Sequence, residues 1–471
     1  MQISFHGAAQ TVTGSKHIIT LTDGRKILLD CGMFQGMGAA TAAFNESFGF
    51  DAAAIDVVLL SHAHIDHSGL LPKLFKEGFC GRIVSTLATK ELTEILLFDS
   101  AEIQAYGEDT PLYDEQDVEN TMNLFDITEY DAWFSIMKDV DVLFTSTGHL
   151  VGSTAITVRI KEGRKKTQVL YTGDIGRYHS VLLKAPAEAP QADYIIMECT
   201  YGDKLHDITF NSIDTLYKWI NDTCVKKQGK LIIPAFSVGR TQEILYALNQ
   251  LSLEKRLPDI PCFIDSPLSL KATQTVKKYT HLFNDRLQKV LETDDDPFEF
   301  AGLRYVETVE DSRRLAAFEQ PCIIISASGT ADAGRVRHHV SQCIEKENCA
   351  VLFAGYCSNS SLGGRLLTGS KQVELLGNIY EVKARVGHLA GMSGHGDSAD
   401  LLRFLDNQDN EKVKAIFLVH GEKTVQQHFA EKLMAKSFKR VDCPEQHSAY
   451  QLPLKAKRKR IALKTELRNR A

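Results

Sequence analysis

The sequence predicts an α/β fold in two domains, and three observations lead to that prediction. The chain has 471 residues, more than one small hydrophobic core accommodates. Up to about Tyr201, short apolar runs alternate with turns, which is typical of a sandwich of β-sheets with helices outside. Beyond Tyr201, each strand-sized apolar run is followed by a helix-like segment, which favours an α/β domain with a mainly parallel sheet.

The elements of the first part follow from the lengths of its apolar runs. Short runs between turn residues predict strands at Gln2–Phe5, His17–Thr22, Lys26–Leu29, Val57–Ser61, Ile83–Ser85, Val142–Thr145, Ala155–Ile160, Gln168–Tyr171 and Tyr194–Met197. Segments with helical periodicity predict helices at Leu70–Glu77, Thr89–Tyr106 and Glu115–Leu124.

The second part repeats a unit of strand and helix. Its predicted strands are Leu231–Ile233, Cys262–Ile264, Cys322–Ile325 and Val351–Phe353. Strands should resume at about Tyr380. A strand at Val413–Val419 and a helix at Lys423–Ala435 should then end the ordered core.

Composition and cysteine usage bound the class of protein. A hydrophobic content of 44% and a charged content of 24% are ordinary for a globular protein. We expect no membrane partner, because no apolar run is long enough to span a bilayer. The amino terminus lacks the basic and apolar pattern of a signal peptide, and the ten cysteines show no paired spacing. These features predict free thiols and a cytoplasmic localisation.

Charge is concentrated at the carboxyl terminus. Residues 455–471 carry eight Lys or Arg and one acid, so this tail is +7 while the rest of the chain is −13. A basic arm of this kind can attract nucleic acid, or it can be a solvated terminus. The sequence leaves both interpretations open.

The motif His62-Ala-His64-Ile-Asp66-His67 predicts a metal centre. It follows the apolar run that ends at Leu60, so a buried strand would deliver four ligand side chains within six residues. His62 and His64 are two residues apart, and in an extended segment both imidazoles point to one side. One pair can therefore hold one metal while the second pair holds another close by.

Three further candidate ligands follow predicted strands, each beside a glycine. They are His149, Asp174 and His420. A small neighbour lets the backbone approach the metals closely. Histidines and carboxylates suit zinc, with manganese or iron as alternatives. Two metals together activate water and stabilise the oxygens of an attacked group, so the ligands predict hydrolysis of a phosphodiester, ester or amide.

Together these motifs resemble a known family in their order and spacing. Asp30, the His62–His67 cluster, His149 and Asp174 resemble the four motifs of the metallo-β-lactamase fold. Glu198, His395 and His420 lie in segments similar to motifs A, B and C of the β-CASP nucleases, which include ribonuclease J and the eukaryotic pre-mRNA 3′-end endonuclease. The match covers about residues 1–440, and the opening segments resemble the compact bacterial and archaeal RNA-processing members.

The resemblance implies a role for each matched position. His62, His64 and His149 would hold one zinc ion, Asp66, His67 and His420 the second, and Asp174 would bridge them. Asp30 would orient a ligand histidine. His395 would be the general acid, held by Glu198. A histidine at position 420 goes with RNA substrates in this family. RNA is therefore the expected partner, and a homodimer stays open.

The resemblance also implies a metallo-β-lactamase αββα sandwich with an inserted α/β β-CASP cap. The expected domains are 1–206 and 379–440 for the metallo-β-lactamase part, 207–378 for the cap, and 441–471 for a terminal segment with the basic tail. Three cap loops each join a strand to a helix through small residues, which suits phosphate binding. Their candidate phosphate-binding residues are Ser237, Arg240, Ser326, Ser328 and Arg365.

The leading hypothesis is a zinc-dependent ribonuclease acting on single-stranded RNA by a two-metal mechanism, in RNA processing or decay. One alternative is a metallohydrolase of a small ester or thioester, since the first four motifs occur there too. Another is an inactive RNA-binding scaffold, which would require lost ligands. A single-stranded DNA nuclease is a variant of the leading hypothesis.

Overall fold

The structure, a computed structural model, describes residues 1–106, 110–206 and 212–453. The strands of its first part are β1 Gln2–Phe5, β2 His17–Thr20, β3 Lys26–Leu29, β4 Val57–Leu59, β5 Arg82–Ser85, β6 Phe125–Ile127, β7 Phe134–Met137, β8 Val140–Ser146, β9 Thr154–Glu162, β10 Lys165–Tyr171 and β11 Tyr194–Glu198. The α-helices of this part are α1 Thr41–Glu46, α2 Ile65–Ser68, α3 Leu71–Lys76, α4 Leu87–Ala105 and α5 Glu115–Met122.

The second part alternates strands and helices as predicted. Its strands are β12 Lys230–Pro234, β13 Cys262–Asp265, β14 Leu303–Tyr305, β15 Cys322–Ser326, β16 Ala350–Phe353, β17 Gln372–Leu375, β18 Asn378–Glu381 and β19 Arg385–His388. Its α-helices are α6 Ser212–Ile220, α7 Arg240–Leu253, α8 Pro267–Val276, α9 Asp285–Leu291, α10 Val309–Ala316, α11 Val336–Cys343 and α12 Leu362–Leu367. The chain then continues through α13 Ser398–Phe404, β20 Ala415–Val419, α14 Lys423–Ala435, β21 Val441–Asp442 and β22 Ser448–Gln451.

Two seven-stranded sheets form the sandwich. Their orders are β22-β1-β2-β3-β4-β5-β6 and β21-β20-β11-β10-β9-β8-β7. Buried side chains from both sheets, such as Leu29 of β3 and Phe417 of β20, share one hydrophobic core. On the outer faces, α3 packs over the first sheet, and α13 and α14 pack over the second. This arrangement confirms the predicted αββα sandwich.

The cap is built on a six-stranded parallel sheet of order β14-β13-β15-β12-β16-β19. Hydrophobic clusters cover both of its faces, with α6 and α7 on one side and α11 and α12 on the other. Burial on both faces explains why its strands read as nearly continuous apolar runs. The predicted α/β cap with a mainly parallel sheet is thereby confirmed.

The ordered core extends beyond the last predicted helix. After α14, β21 pairs with β20, and β22 pairs antiparallel with β1 at the edge of the first sheet. The prediction that the core ends at α14 was therefore wrong. The sequence also failed to predict the helices α1 and α13 and the strands β6, β7, β14 and β17. The missed strands are short, and β6, β7, β21 and β22 lie at sheet edges, where polar residues replace the apolar pattern.

The predicted basic tail from Lys455 lies outside the described residues. Among the helices that the structure describes, none combines the length and the apolar character needed to cross a membrane.

Candidate metal centre

The candidate ligands lie where several strands end. His149 follows β8, Asp174 follows β10 and His420 follows β20. β10, β11 and β20 are parallel, and β8 runs in the same direction because β9 is antiparallel to both β8 and β10. Carboxyl ends of strands that share a direction meet at one edge of a sheet. The fold therefore brings His149, Asp174 and His420 to one edge of the second sheet. The loop between β4 and α2, which carries His62 and His64, reaches the same edge.

The first group of potential ligands contains three histidines and one aspartate. His64 Nδ1 lies 3.1 Å from His62 Nε2 and 3.2 Å from His149 Nε2. Asp174 Oδ2 lies 3.5 Å from His62 Nε2 and 3.6 Å from His149 Nε2. All four side chains could therefore contribute one atom each to a single metal ion.

The second group lies on the other side of the same aspartate. Asp66, His67 and His420 could together hold a metal ion. Asp66 Oδ2 lies 3.3 Å from His420 Nε2, and Asp174 Oδ1 lies 3.3 Å from His67 Nε2. The two carboxylate oxygens of Asp174 thus face different groups, as a bridging ligand requires.

The chemistry of these side chains fits a divalent metal ion. Asp174 Oδ1 is buried and accepts no hydrogen bond from any residue that the structure describes, so a carboxylate oxygen is left for a cation. Burial lowers the pKa of His62 well below its ordinary value. Burial also lowers the pKa of His149. Neutral imidazoles are the form that coordinates metal.

Asp30 supports one of these histidines. Its Oδ2 lies 2.6 Å from His67 Nδ1 and accepts hydrogen bonds from the hydroxyls of Tyr171 and Ser61, both at 2.6 Å. Its Oδ1 accepts the Ser61 N–H at 2.7 Å. The His67 ring is therefore fixed with Nε2 turned towards Asp174.

His395 and Glu198 lie beside the metal-ligand groups. His395 Nδ1 is 3.2 Å from Glu198 Oε1 and 3.9 Å from Asp174 Oδ2. Burial lowers the pKa of His395, but the charges of Glu198 and Asp174 outweigh burial and raise it to about 9. Its side chain is 17% exposed, whereas those of Glu198 and Asp174 are 1% and 2% exposed. His395 is thus the member of this trio that a substrate could contact.

Glu198 is itself held by neighbouring donors. Its Oε1 accepts the Ile175 N–H at 2.7 Å, and its Oε2 accepts the N–H and hydroxyl of Thr200 at 3.1 and 2.7 Å. The Thr200 hydroxyl also lies 2.9 Å from His420 Nδ1. One threonine therefore links the glutamate to a candidate ligand.

Two site residues other than glycine have left-handed backbone conformations. Asp30 has φ +57° and His420 has φ +48°. Such conformations are uncommon outside glycine and concentrate at functional sites, where the surrounding structure enforces them. Here the hydrogen bonds of Asp30 and the close packing of His420 against Thr200 hold them in place.

The candidate phosphate-binding residues of the cap differ in position. Arg240 is buried beside the centre: a Cβ added to Gly394 would lie 3.2 Å from Arg240 Nη2 and 3.2 Å from His149 Cε1. Arg240 also pairs with Glu243, but its Nε has no hydrogen-bond partner in the described parts of the chain. Its guanidinium thus retains a free donor close to a candidate ligand.

For the other four candidate phosphate-binding residues, no contact with the metal-ligand groups is observed among the described residues. Ser237 Oγ lies 3.2 Å from Ser266 Oγ, and Ser326 Oγ donates to the Asp265 carbonyl at 2.8 Å. Ser328 Oγ accepts the Ala333 N–H at 3.3 Å. Arg365 is exposed on α12, and its guanidinium contacts no acidic side chain of the described residues. The serine hydroxyls are thus occupied within the cap.

Several supporting residues escaped sequence reasoning. Ser61, Tyr171 and Thr200 hold Asp30, Glu198 and the ligand rings. Ser61 and Thr200 adjoin motif residues, so adjacency could have indicated them. Tyr171 offered no signal, because its place in β10 is that of an ordinary buried strand residue.

Three family models match successive parts of the chain. The metallo-beta-lactamase superfamily matches residues 16–221, the Beta-Casp domain matches residues 241–366, and the Zn-dependent metallo-hydrolase RNA specificity domain matches residues 379–444. With the clustered ligands, these matches define a metal-dependent hydrolase.

Similar proteins narrow the class from metal-dependent hydrolases to ribonucleases. Ribonuclease TTHA0252 of Thermus thermophilus is 36% identical over 422 residues, which cover 90% of this chain and 93% of that protein. An RNase J-like protein of Methanocaldococcus jannaschii is 30% identical over 433 residues, covering 91% and 94%. A protein of unknown function from Enterococcus faecalis shares the fold alone, with a TM-score of 0.52 at 11% identity over 95% of this chain and 99% of that one. The chain belongs to the β-CASP family of metallo-β-lactamase ribonucleases.

Proposed function

We propose that the chain is a zinc-dependent ribonuclease that hydrolyses phosphodiester bonds of single-stranded RNA with two metal ions. The observation that carries this proposal is the position of Asp174 between two ligand groups. One of its oxygens faces His62 and His149, while the other faces His67 and has no hydrogen-bond donor among the described residues.

Each ligand group supplies the donors for one ion. His62, His64 and His149 would hold the first ion. Asp66, His67 and His420 would hold the second, and Asp174 would serve both. Imidazole-rich donor sets suit zinc, and manganese is the alternative. Bound metals would supply a water-derived nucleophile and stabilise charge on the phosphate oxygens.

His395 is proposed as the general acid. Glu198 fixes the ring through Nδ1, and His395 Nε2 makes no hydrogen bond within the described residues. That nitrogen can donate its proton to the oxygen that leaves when the phosphodiester breaks. The negative charges of Glu198 and Asp174 favour the protonated ring, as a general acid requires before transfer.

RNA is the proposed substrate class. The RNA specificity domain model matches residues 379–444, which carry His395 and His420, and two relatives are named as a ribonuclease and an RNase J-like protein. Arg240 has its Nη2 beside the centre and an Nε without a partner among the described residues, so it is the cap residue that best fits a phosphate group. Arg365 is proposed as a further contact along the backbone. Ser237, Ser326 and Ser328 would contact phosphate only by giving up the hydrogen bonds that their hydroxyls make within the cap.

An exposed aromatic ring supports a preference for single strands. Phe236, in the loop between β12 and α7, is 39% exposed. Its ring lies close to Gly355, because a Cβ added to that glycine would be 3.5 Å from Phe236 Cε2. The next residue, Tyr356, contacts Tyr201, whose ring lies 6.3 Å from that of His395. Unpaired bases stack on such rings, whereas a duplex keeps its bases stacked internally.

The cytoplasmic localisation and the homodimer stay predictions of the sequence.

Metal analysis and substrate comparison test the proposal together. Protein purified without chelator should contain about two zinc-class ions per chain, one for each ligand group. The loaded protein should cleave an end-labelled unstructured RNA but not the same RNA annealed to its complement. Matched single-stranded DNA and a generic thioester serve as the other arms.

Asp174→Ala tests the bridge. It should remove activity and lower the content of both metals, because one side chain serves both groups. Full activity in metal-free protein, or thioester hydrolysis without RNA cleavage, would overturn the proposal.

A further inference from the structure

The chain passes between the sandwich and the cap through two segments that lie side by side. The entry segment, residues 201–206, follows β11 of the sandwich and precedes α6 of the cap. The exit segment, residues 394–398, follows β19 of the cap sheet and leads into α13. An isolated parallel bridge between Tyr201 and Asp397 joins the two segments. The exit segment contains His395, so the two crossings meet at the proposed general acid.

One side chain of the entry segment reaches the backbone of His395. His206 Nε2 lies 3.0 Å from the His395 carbonyl oxygen. Because a carbonyl oxygen only accepts, this ring nitrogen carries the proton of the hydrogen bond. The His206 N–H donates to Asp397 Oδ2 at 2.7 Å, and the His206 ring packs edge-on against Tyr201 at 4.8 Å between centroids. The His206 ring is therefore held in the orientation in which it binds the carbonyl.

The backbone at His395 lies outside helices and strands, so its direction depends on individual contacts. The peptide unit between His395 and Gly396 is bound at both ends: its carbonyl accepts from His206, and its N–H donates to the Ile175 carbonyl at 2.7 Å. Because a peptide unit is planar, fixing both ends sets the direction of the chain there.

The other contacts of His395 are longer. Its N–H donates to Ser393 Oγ at 3.3 Å, and its Nδ1 lies 3.2 Å from Glu198 Oε1. Both distances are long for hydrogen bonds of these types. The contact with Glu198 alone therefore orients the ring weakly, and the position of the ring depends on the backbone that carries it.

We propose that His206 is a positioning residue for His395, because its hydrogen bond to the His395 carbonyl fixes the backbone from which the proton-donating ring projects. This inference rests on the proposed role of His395 as general acid. A misplacement of about 1 Å in a reacting group can cost about 100-fold in rate. Loss of the His206 bond leaves the contact with Glu198 in place, so we expect a smaller loss of kcat, about tenfold.

The alternative is that His206 only stabilises the junction between the entry and exit segments. Lys432 of α14 provides a matched control, because its Nζ donates to the Gly202 carbonyl at 2.9 Å and to Ser398 Oγ at 2.7 Å. It thus joins the same two segments at positions other than His395. If stability of the junction were the whole effect, variants of His206 and Lys432 should have the same consequences.

Two substrates measure the effect on proton donation in the metal-loaded, full-length protein. The leaving oxygen of RNA must be protonated, whereas a 4-nitrophenyl phosphodiester has a leaving group that needs little protonation. His206→Phe keeps a ring to pack against Tyr201 and removes the donor. It should lose about tenfold in kcat on unstructured RNA, at unchanged KM and metal content, and little on the 4-nitrophenyl ester.

Two further variants separate the donor from the stability of the junction. His206→Gln places an amide N–H at a similar distance along the side chain, so it should restore most of the activity on RNA. Lys432→Met should lower the melting temperature without changing the ratio of the two activities. An equal change of that ratio in Lys432→Met and His206→Phe would overturn the positioning role.

His395→Ala, measured in parallel, separates this inference from the proposed function. It should show the same preference for the 4-nitrophenyl ester as His206→Phe, with a larger loss on RNA. If His395→Ala shows that preference and His206→Phe does not, the general acid stands and the positioning role is refuted. The same holds if His206→Gln loses as much activity as His206→Phe. An equal loss on both substrates in His395→Ala would refute the general acid and the positioning role together.

Discussion

Replacement of His395 by alanine separates catalysis from metal binding. The position of His395 is compatible with two roles. Its Nδ1 contacts Glu198, which suits a general acid held in place by a carboxylate. His395 could also be a metal ligand together with Asp174, Glu198 and His420. If His395 is the general acid, His395→Ala should keep both metals and its affinity for RNA. If it is a ligand, metal and activity should fall together.

The expected loss follows from the role. General acids contribute roughly 10²–10⁴-fold to the rate, which corresponds to about 3–5 kcal/mol of transition-state stabilisation. The loss should appear in kcat, because the 17% exposed ring makes only a small part of any contact surface for RNA. Its ring packs against His149 and His420 at centroid separations of 4.6 and 5.6 Å, outside the hydrophobic core clusters, so we expect the variant to fold.

Leaving-group dependence provides the sharpest assay. A phosphodiester with a 4-nitrophenyl leaving group needs little protonation, so His395→Ala should lose far less activity on it than on RNA. His388→Ala is a matched control, because His388 lies in the cap and contacts the Gly355 carbonyl. An equal loss on both substrates, or loss of a metal ion from His395→Ala, would refute the general-acid role.

Four further predictions concern the groups around this ring and the RNA. Glu198→Gln should shift the basic limb of the kcat–pH profile to lower pH, because the Glu198 charge raises the pKa of His395; an unmoved limb would exclude this coupling. Asp30→Asn should weaken metal affinity about 10–100-fold in a chelator competition. Tyr171→Phe removes one hydrogen bond to Asp30 but keeps the charge of the Asp30 carboxylate, so its effect should be smaller. Arg240→Ala should weaken RNA binding at constant metal content and reduce the salt slope by about one, with Arg314→Ala, an exposed arginine of α10 paired with Asp311, as the control. Deleting residues 455–471 should weaken binding mainly of long RNAs, and equal affinity for all lengths would mark the tail as a solvated terminus.

The sequence could predict the candidate ligands because their signals are local. Four ligand side chains fall within six residues from His62 to His67, and His149, Asp174 and His420 each adjoin a glycine after an apolar run. The alternation of strand and helix after Tyr201 was likewise enough to predict a parallel cap sheet. Dense local patterns need no knowledge of tertiary contacts.

The remainder depends on contacts between distant residues. Tyr171 reaches Asp30 across 141 residues, and Thr200 reaches His420 across 220. β22 joins the sheet through β1, at the opposite end of the chain. In the cap, small-residue loops suggested free hydroxyls, yet Ser326 donates to the Asp265 carbonyl. A pattern of residue types cannot show which polar groups are already paired.

The loop before α13 connects the cap to the chemistry. The Gly394 carbonyl lies 3.1 Å from His149 Nδ1, and the next residue is His395. Arg240 of the cap packs against the same glycine, because a Cβ added to Gly394 would lie 3.2 Å from Arg240 Nη2. A phosphate that draws Arg240 away from Glu243 would therefore act on the segment that orients both a metal ligand and the proposed acid. If Arg240 binds phosphate as proposed, substrate binding and catalytic geometry would share one stretch of backbone, where glycine leaves room for both neighbours.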